Sequence, residues 1–399
     1  MVLWPFATWN FPLRLASRTI SSATAPFVIA ELGVNHDGSP DKALALAKAA
    51  IEAGADAIKL QLFTAEGLMS RDARLAAYQK SAGEVDPIAM LKRLELTIDQ
   101  MAPVVELAHA KNAAAIVTVF SVELVPVAEK LPWDAYKTAS PDIIHKPLLE
   151  ALAATGRPLI LSTGASTLQE VGRALTWLRN IRERLAVLQC VSSYPTSLED
   201  AELPGINAIQ DIYPGIVGYS DHTDSIKTGA LAVIAGACIL EKHVTLDRNA
   251  PGPDHAASLT PEDFGKYRKY ARLAKRYEDD PAAREYLDTF LTLENEQRAY
   301  KLVQSLRAEH DAAPKLKRVL LIEQDVRTVS RQSIVAAKDL PAGHAITRAD
   351  LTFKRPGTGI PPFEVEGILG KTLAHPVQAD SVLTSADLAD ASPVARSQN

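Results

Sequence analysis

Two histidines in the second half of the chain could do chemistry together. His222 and His243 each follow an apolar run that is typical of a buried strand. An imidazole at the end of a strand can bind a metal, and two imidazoles from neighbouring strands can share one ion. A lone histidine is more often a surface or hydrogen-bonded residue. The pair therefore indicates a metal site only together with the residues around it.

Polar side chains also follow the other strand-like runs. They are Glu31, Asn35, His36, Lys59, Gln61, Thr118, Ser121, Lys137, Ser140, Ser162, Thr163, Ser192, Ser193, Tyr194, Ser220 and Glu241. A lysine inside a strand is unfavourable unless its charge is matched, so Lys59 and Lys137 indicate a bound anion. The hydroxyl donors nearby favour phosphate. A structural ion pair with Glu31 is the alternative for either lysine, and a Schiff-base lysine is a third interpretation.

Eight short β-rich runs supply these positions. They span residues 27–31, 57–61, 115–119, 135–138, 159–162, 186–190, 216–219 and 238–241. Several are almost wholly apolar, as parallel strands covered on both faces are, and most precede a helical pattern. The clearest helix is predicted at residues 40–53, with Ser39 as its N-cap and Gly54 just beyond its last turn. Strand–helix alternation of this kind predicts a (β/α)8 barrel, whose active site lies at the carboxyl ends of the strands.

A doubly wound parallel sheet is the alternative fold class, but no glycine-rich dinucleotide turn follows the first run. The longest connection, residues 63–99, is predicted to be an ordered insertion over the mouth of the barrel. After about residue 260 the strand signals stop, and a β-rich pattern returns at residue 330. The predicted domains are a leader or hairpin at 1–26, the barrel at 27–275, a helical connector at 276–329, a small β-rich domain at 330–392 and a disordered tail at 393–399.

Composition restricts the class of protein. Of the 399 residues, 47% are hydrophobic and 23% are charged, and the net charge is −5. These values describe a soluble globular protein without the basic surface that nucleic acid requires. No apolar run reaches the ~20 residues of a membrane span. A signal peptide is the alternative for the apolar N-terminus, but no positive charge precedes it. The two cysteines, Cys190 and Cys238, favour reduced thiols and a cytoplasmic location.

Several ordered blocks carry a family resemblance. They are IAELGVNHDG at residues 29–38, IKLQ at 58–61, YKTAS at 136–140, STG at 162–164, GYSDHT at 218–223, EKHVTLD at 241–247, GPDH at 252–255 and KRPGTGI at 354–360. In these blocks the chain resembles the sialic acid synthase family, which includes N-acetylneuraminate and N,N′-diacetyllegionaminate synthases. The last block resembles the signature of that family's antifreeze-like (SAF) domain. The resemblance implies a (β/α)8 TIM barrel followed by a small SAF domain.

The resemblance also implies a reaction. Phosphoenolpyruvate would condense with an N-acetylated hexose, giving a nonulosonic acid and phosphate by C–O cleavage. The hexose would be N-acetylmannosamine or 2,4-diacetamido-2,4,6-trideoxymannose. A divalent metal, usually Mn²⁺, would be held by His222 and His243, although two histidines with water also suit Co²⁺, Zn²⁺ or Fe²⁺. Glu31 would lie beside the reacting carbons as an orienting or acid–base group.

Substrate contacts follow from the same resemblance. Phosphoenolpyruvate would be held by Lys59, Thr118, Lys137, Ser140, Ser162 and Ser220. The sugar would face Gln61, Tyr194 and Asp254, and Ser192 would be a further substrate-binding residue. The implied catalytic residues are Glu31, Lys59, Lys137, His222 and His243. Arg355 of the SAF domain would reach the sugar site of the neighbouring subunit in a domain-swapped homodimer. A solvated surface arginine is the alternative for this residue.

The chain departs from the family pattern at positions that bear on specificity. Asp142 stands where the family usually has glutamate, and Ser192 and Ser193 replace other polar residues, so the identity of the sugar stays open.

Two other functions stay open as well. One is a Schiff-base barrel aldolase that uses Lys59 or Lys137. The other is a non-catalytic carbohydrate-binding protein, which would need neither the histidine pair nor both lysines.

Overall fold

The structure is a computed structural model that describes residues 11–292 and 316–389. The predicted disordered tail at 393–399 lies outside the described residues, as do parts of the predicted leader and connector. No helix in the described ranges is long and apolar enough to span a membrane.

Eight parallel strands close into a barrel, and each pairs with its neighbours in the chain. They are β3 Phe27–Glu31, β4 Ala57–Leu62, β5 Ala114–Val119, β6 Ala135–Lys137, β7 Leu159–Ser162, β8 Leu185–Cys190, β9 Ile216–Asp221 and β10 Ile239–His243. The last strand pairs with the first, which closes the ring. The predicted TIM barrel is therefore confirmed, and the doubly wound sheet is wrong because a closed ring has no edge strands.

Alternation along each strand separates a lower apolar layer from an upper polar layer inside the barrel. On β3, Phe27 and Ile29 belong to the inner apolar cluster, whereas Val28 and Ala30 pack outward against the helices. Side chains of a strand point to opposite faces in turn, so the next inward position is Glu31. The same period puts Lys59 after Ala57 on β4. Polar groups therefore collect in the barrel at the carboxyl ends of its strands.

A two-stranded hairpin closes the opposite end of the barrel. Strands β1 Leu13–Leu15 and β2 Arg18–Ile20 pair antiparallel, with Leu13 opposite Ile20. Leu13, Leu15 and Ile20 are buried in the inner apolar cluster below the polar layer. Water is thus kept out of the base of the barrel, which leaves the mouth as the route to the polar residues.

Helices cover the outside of the barrel and form the insertion. Their bounds are Pro40–Glu52, Ala65–Leu68, Ala77–Ser81, Pro87–Leu94, Ile98–Ala110, Val125–Ala128, Lys146–Ala154, Leu168–Trp177, Pro204–Gln210, Thr228–Ile234, Pro261–Ala274, Pro281–Thr292, Gln324–Ser330 and Val365–Ile368. The first begins as predicted, because Ser39 accepts a hydrogen bond from the Lys42 amide at 3.3 Å. It ends before Gly54, whose φ of +98° is easily adopted only by glycine.

A small β-rich domain packs against the mouth of the barrel. Its strands β11 Ser333–Ala336 and β12 Leu351–Lys354 pair antiparallel around a separate apolar core. Among its contacts with the barrel and the insertion, the Arg355 amide donates to the Leu68 carbonyl at 2.9 Å, and the rings of His145 and Phe353 lie 4.6 Å apart. The domain therefore covers part of the opening.

Glu170 forms ion pairs with the segment that leads into this domain. Its carboxylate binds Arg327 at 2.8 Å and Arg331 at 2.7 Å. Burial opposes ionisation of Glu170, but hydrogen bonds from Arg331 and Arg327 outweigh it and lower the pKa far below its usual 4.5. The ion pairs therefore stabilise the fold above pH 4.5, and this stability is lost as the pH falls toward the lowered value.

We expect Glu170→Gln to lower the free energy of unfolding at pH 7 by about 1–3 kcal/mol, since the charge-assisted hydrogen bonds from Arg327 and Arg331 are weakened. Urea unfolding at pH 7 and at pH 4 measures the difference, which should shrink at the lower pH. Glu150→Gln is the matched control, because its carboxylate is 53% exposed and lies 3.7 Å from Lys146. That variant should stay within about 0.5 kcal/mol of wild type. A Glu170→Gln penalty that grows as the pH falls would contradict this account.

Candidate active site

The carboxyl ends of the barrel strands surround a cavity. Every residue for which the resemblance implied a site role lines it: Glu31, Lys59, Gln61, Thr118, Lys137, Ser140, Ser162, Ser192, Tyr194, Ser220, His222, His243, Asp254 and Arg355. Five other polar residues near the strand ends do not line it: Asn35, His36, Ser121, Thr163 and Ser193. The strand register explains in part why the lining residues lie close together. Glu31 is aligned with Lys59 on one side and with His243 on the other, while Thr118 is aligned with Lys137.

Two lysines and two glutamates form a buried charge network in the cavity. Lys59 forms an ion pair with Glu31 and lies 3.1 Å from Glu241, which in turn lies 3.2 Å from Lys137. Glu241 also accepts a hydrogen bond from Ser220 at 3.0 Å. The ion pair between Lys59 and Glu31, which the sequence left as an alternative, is therefore present. An arriving anion would compete with Glu241 for both ammonium groups.

The two carboxyl groups of this network differ in acidity. Burial, reinforced by the charge of Glu241, raises the pKa of Glu31 to about 7 despite the neighbouring Lys59. Burial also opposes ionisation of Glu241, but Lys137 and Lys59 outweigh it and lower its pKa to about 2. Glu241 is thus a fixed anion that holds the lysines in place. Glu31 can gain or lose a proton near neutral pH, as a general acid or base must.

Hydroxyl and amide donors form a second cluster beside Lys137. Ser140 donates to the Ser162 hydroxyl at 2.9 Å and accepts from the Gly164 amide at 3.0 Å. The Thr138 hydroxyl accepts from the Ser162 amide at 3.3 Å. A phosphate needs several donors within a small radius and a cation nearby. Because Gly164 has no side chain, its backbone amide comes close enough to the hydroxyls to complete this group of donors, which we call the hydroxyl cradle.

We expect Gly164→Ala to raise the KM for a phosphate-bearing substrate about 10- to 100-fold, because misplaced binding groups lose this much. The added Cβ would clash with the Ser192 hydroxyl and lie 2.8 Å from that of Ser140. Steady-state kinetics measures the change. Gly172→Ala is the matched control, because nothing lies within 4 Å of its added Cβ. An unchanged KM in Gly164→Ala would show that the cradle does not bind substrate.

The two histidines fit a shared metal ion. Their ring centroids are 5.5 Å apart, and both rings are buried. His222 Nδ1 lies 2.7 Å from the Val191 carbonyl, which can only accept, so Nδ1 carries a proton and the neutral ring offers its lone pair at Nε2. His243 Nδ1 is buried without a hydrogen-bond partner among the described residues. Burial and the nearby His222 lower the pKa of His243 well below its usual value, so this ring is neutral and can bind a metal.

No third side chain joins these histidines within the described ranges, where no group of three possible ligands occurs. Water and substrate would have to complete the coordination shell. The nearest acid, Asp254, lies 3.7 Å from His243 Nδ1. A site that keeps open positions is suited to catalysis rather than to a structural role.

Arg355 enters the cavity from the SAF-like domain. The Ser70 hydroxyl donates to its carbonyl at 2.7 Å, and its guanidinium lies 5.6 Å from the centre of the Phe120 ring. The residue is only 9% exposed, so the solvated-surface interpretation is wrong. In the single chain described, Arg355 lines the cavity of its own chain. Asp142, the departure from the family pattern, is buried and accepts a hydrogen bond from Gln332 at 3.1 Å.

Sequence reasoning missed several polar groups and an apolar wall of the cavity. Glu241 stood among the polar strand ends but had no role until the folded barrel brought it within ion-pair distance of both lysines. Tyr78 stacks on Tyr194 with ring centroids 4.9 Å apart, and Tyr194 stacks on His222 at 4.0 Å. The apolar wall comes mostly from the insertion and consists of Val34, Phe63, Leu68, Met90, Leu91, Leu94, Phe120 and Val326.

Comparison with known proteins agrees with this geometry. The sequence profile of the NeuB family matches residues 46–281, more than half of the chain. The chain belongs to the NeuB family. The SAF domain profile matches residues 331–389, so the predicted resemblance is confirmed in both parts. Among curated NeuB relatives, an N,N′-diacetyllegionaminic acid synthase of Legionella pneumophila is 35% identical over 91% of this chain and 94% of its own length.

Two solved structures have a similar architecture. The spore coat polysaccharide biosynthesis protein spsE of Bacillus subtilis has a TM-score of 0.75 and 26% identity, and the match covers 96% of this chain and 100% of that one. A sialic acid synthetase of Leptospira borgpetersenii in complex with citrate has a TM-score of 0.61 and 29% identity. That match covers 72% of this chain and 98% of the other.

Proposed function

We propose that the protein is a synthase that condenses phosphoenolpyruvate with an N-acetylated amino sugar to give a nonulosonic acid and phosphate. One observation carries the proposal. The same cavity holds a lysine-rich anion cradle, a histidine pair with free ring nitrogens and a carboxyl group whose pKa is about 7. A Schiff-base aldolase needs a lysine but neither the histidine pair nor the hydroxyl cradle.

The anion cradle suits phosphoenolpyruvate. Lys59 and Lys137 would turn from Glu241 toward the phosphate and carboxylate, while the hydroxyls of Thr118, Ser140 and Ser162 donate to the phosphate. Fixing the enol in this way places its C3 carbon toward the histidines. Preorganised donors of this kind stabilise charge without reorganising water during the reaction.

The sugar would bind beside the histidines in its open-chain form. A divalent metal, which the resemblance implies to be Mn²⁺, would be held by His222 and His243 and would polarise the aldehyde carbonyl. The C3 carbon of phosphoenolpyruvate then forms a bond to the aldehyde carbon, and the aldehyde oxygen takes up a proton. Asp254, Gln61 and Tyr194 would orient the sugar for this attack.

Glu31 would act in the second half of the reaction. Positive charge develops at C2 as the new bond forms, and a buried carboxylate nearby stabilises it. Glu31 would take a proton from the water that adds at C2. The tetrahedral intermediate then breaks its C2–O bond, so that phosphate leaves and a ketone remains. The atoms balance for one phosphoenolpyruvate, one sugar and one water.

The cavity favours an uncharged, deoxy sugar over a sugar phosphate. In the described ranges its only Lys and Arg residues are Lys59, Lys137 and Arg355, and both lysines serve the first substrate. The wall from the insertion is apolar and suits acetamido methyls and a C6 methyl. We therefore favour 2,4-diacetamido-2,4,6-trideoxymannose, in keeping with the names of relatives 35% and 31% identical to this chain. N-acetylmannosamine is the alternative.

The proposed enzyme is a homodimer that exchanges its SAF domains, as the resemblance implies. The contact of Arg355 with residues 68–70 would form equally well between two subunits. Mixing the inactive variants Arg355→Ala and Lys137→Met after mild unfolding tests this. Exchange restores one complete site in each mixed dimer and hence activity, whereas Arg355 acting only on its own chain restores none.

Phosphate release tests the proposed function directly. With Mn²⁺, phosphate should appear only when phosphoenolpyruvate and the sugar are both present. Release from phosphoenolpyruvate alone would contradict condensation. Activity that survives chelation, together with borohydride trapping of a keto acid, would favour the aldolase. Sugar binding without turnover would favour a carbohydrate-binding protein.

A further inference from the structure

Residues 316–331, which precede the SAF domain, hold the loops that follow β7 and β8. Glu323 belongs to this segment and is fully buried. Its Oε1 accepts hydrogen bonds from the Ala165 amide at 2.6 Å and the Ser192 amide at 2.8 Å. Its Oε2 accepts from the Leu320 amide at 2.9 Å. One carboxylate oxygen therefore ties together two loops that are separate in sequence.

These two loops carry different halves of the site. Ala165 follows Ser162 and Gly164, which belong to the hydroxyl cradle for phosphate. The second loop leads from Ser192, whose hydroxyl lies beside Gly164, to Tyr194, whose ring lies 4.0 Å from that of His222 on the side that the sugar would take. The distance between the loops thus sets how far the phosphate cradle lies from the sugar side.

Ala165 has a strained backbone that the segment holds from both sides. Its φ is +51°, a left-handed conformation that residues other than glycine rarely adopt. Glu323 binds its amide, while Arg327 and Arg331 donate to its carbonyl at 2.5 Å and 3.2 Å. Such a conformation persists only where the surroundings impose it. Without Glu323 the loop can relax and move the cradle.

We propose that Glu323 is a positioning residue that sets the spacing between the phosphate-binding and sugar-binding loops of the active site. The inference rests on the proposed function, because it assigns these loops to the two substrates. Glu323 does not touch the substrates itself. It acts through two backbone amides, and a charged acceptor makes these bonds stronger than a neutral one would.

The test compares Glu323→Ala and Glu323→Gln with wild type in steady-state assays of the full-length protein. Glu323→Ala should raise the KM for phosphoenolpyruvate and for the sugar by about tenfold each, with a smaller change in kcat, because loop misplacement weakens binding. Glu323→Gln keeps one acceptor oxygen and should raise both KM values less. Arg318→Ala is the control in the same segment, since Arg318 is 62% exposed and pairs only at the surface with Glu202.

A second replacement separates positioning from simple loss of stability. Glycine adopts the left-handed conformation without strain. The double variant Glu323→Ala with Ala165→Gly should therefore have a KM for phosphoenolpyruvate close to that of wild type. Its KM for the sugar should stay raised. Wild-type KM values in Glu323→Ala would overturn the proposal, as would a loss confined to kcat or to the folded fraction. If Glu323→Ala does not fold, the same criteria apply to Glu323→Gln. A wild-type enzyme that is inactive with both sugars would instead defeat the proposed function.

Discussion

Replacing Lys59 with methionine should lower kcat/KM for phosphoenolpyruvate by about 10³-fold, because breaking a buried ion pair leaves its partners uncompensated. Lys59 lies between Glu31 and Glu241 and donates to the Thr118 hydroxyl at 3.3 Å. Methionine fills a similar volume but leaves two buried carboxyl groups facing an anionic substrate. Steady-state kinetics at several concentrations of phosphoenolpyruvate measures the loss.

Lys92→Met is the matched control for this experiment. Its ammonium group pairs with Glu66 at 3.1 Å on the surface, where both side chains are more than half exposed. The control should keep wild-type kinetics and stability. If Lys59→Met retained activity within tenfold of wild type while folded, the charge network would have no part in binding the anion. Circular dichroism distinguishes that outcome from unfolding.

Replacing Glu31 with glutamine should lower kcat by about 10²- to 10⁴-fold, the usual contribution of a general acid or base. Burial raises the pKa of Glu31 to about 7, so the carboxylate that accepts a proton from water forms as the pH rises through that value. Wild-type kcat/KM, which reports the pKa values of the free enzyme, should therefore increase between pH 6 and pH 8. Glu31→Gln should lack this limb, because an amide does not titrate.

The pH–rate profile of kcat/KM for phosphoenolpyruvate, measured with the sugar at a fixed concentration, checks this second prediction. Glu66→Gln supplies the matched acid-to-amide control, because that side chain is 78% exposed. The control should keep both the rate and the rising limb. A rising limb that persists in Glu31→Gln would assign the titration to another group and remove the acid–base role.

Local sequence patterns were sufficient to predict the barrel and most of the candidate site. Apolar runs with period-two alternation placed Glu31, Lys59 and Lys137 at strand ends, and a closed parallel barrel brings such ends together. The blocks that resemble sialic acid synthases then indicated which of these residues contact phosphoenolpyruvate and which contact the sugar. All these residues lie on the barrel strands or directly after them.

Contacts between residues far apart in sequence could not be predicted in the same way. Glu241 pairs with both Lys59 and Lys137. This depends on its alignment with Ser220 and on closure of the ring, which no single strand reveals. Tyr78 lies in a helix of five residues, too short to give a periodic signal. Glu323 binds an amide 158 positions earlier, so only the folded chain brings them together.

Phosphoenolpyruvate labelled with ¹⁸O in the oxygen that bridges C2 and phosphorus gives the most direct test of the central claim. The labelled compound is incubated with the enzyme, Mn²⁺ and 2,4-diacetamido-2,4,6-trideoxymannose or N-acetylmannosamine, and the released phosphate is analysed by mass spectrometry. Condensation with C–O cleavage predicts that phosphate appears only when sugar is present and that it carries the label. Unlabelled phosphate, or phosphate released without sugar, would contradict the account.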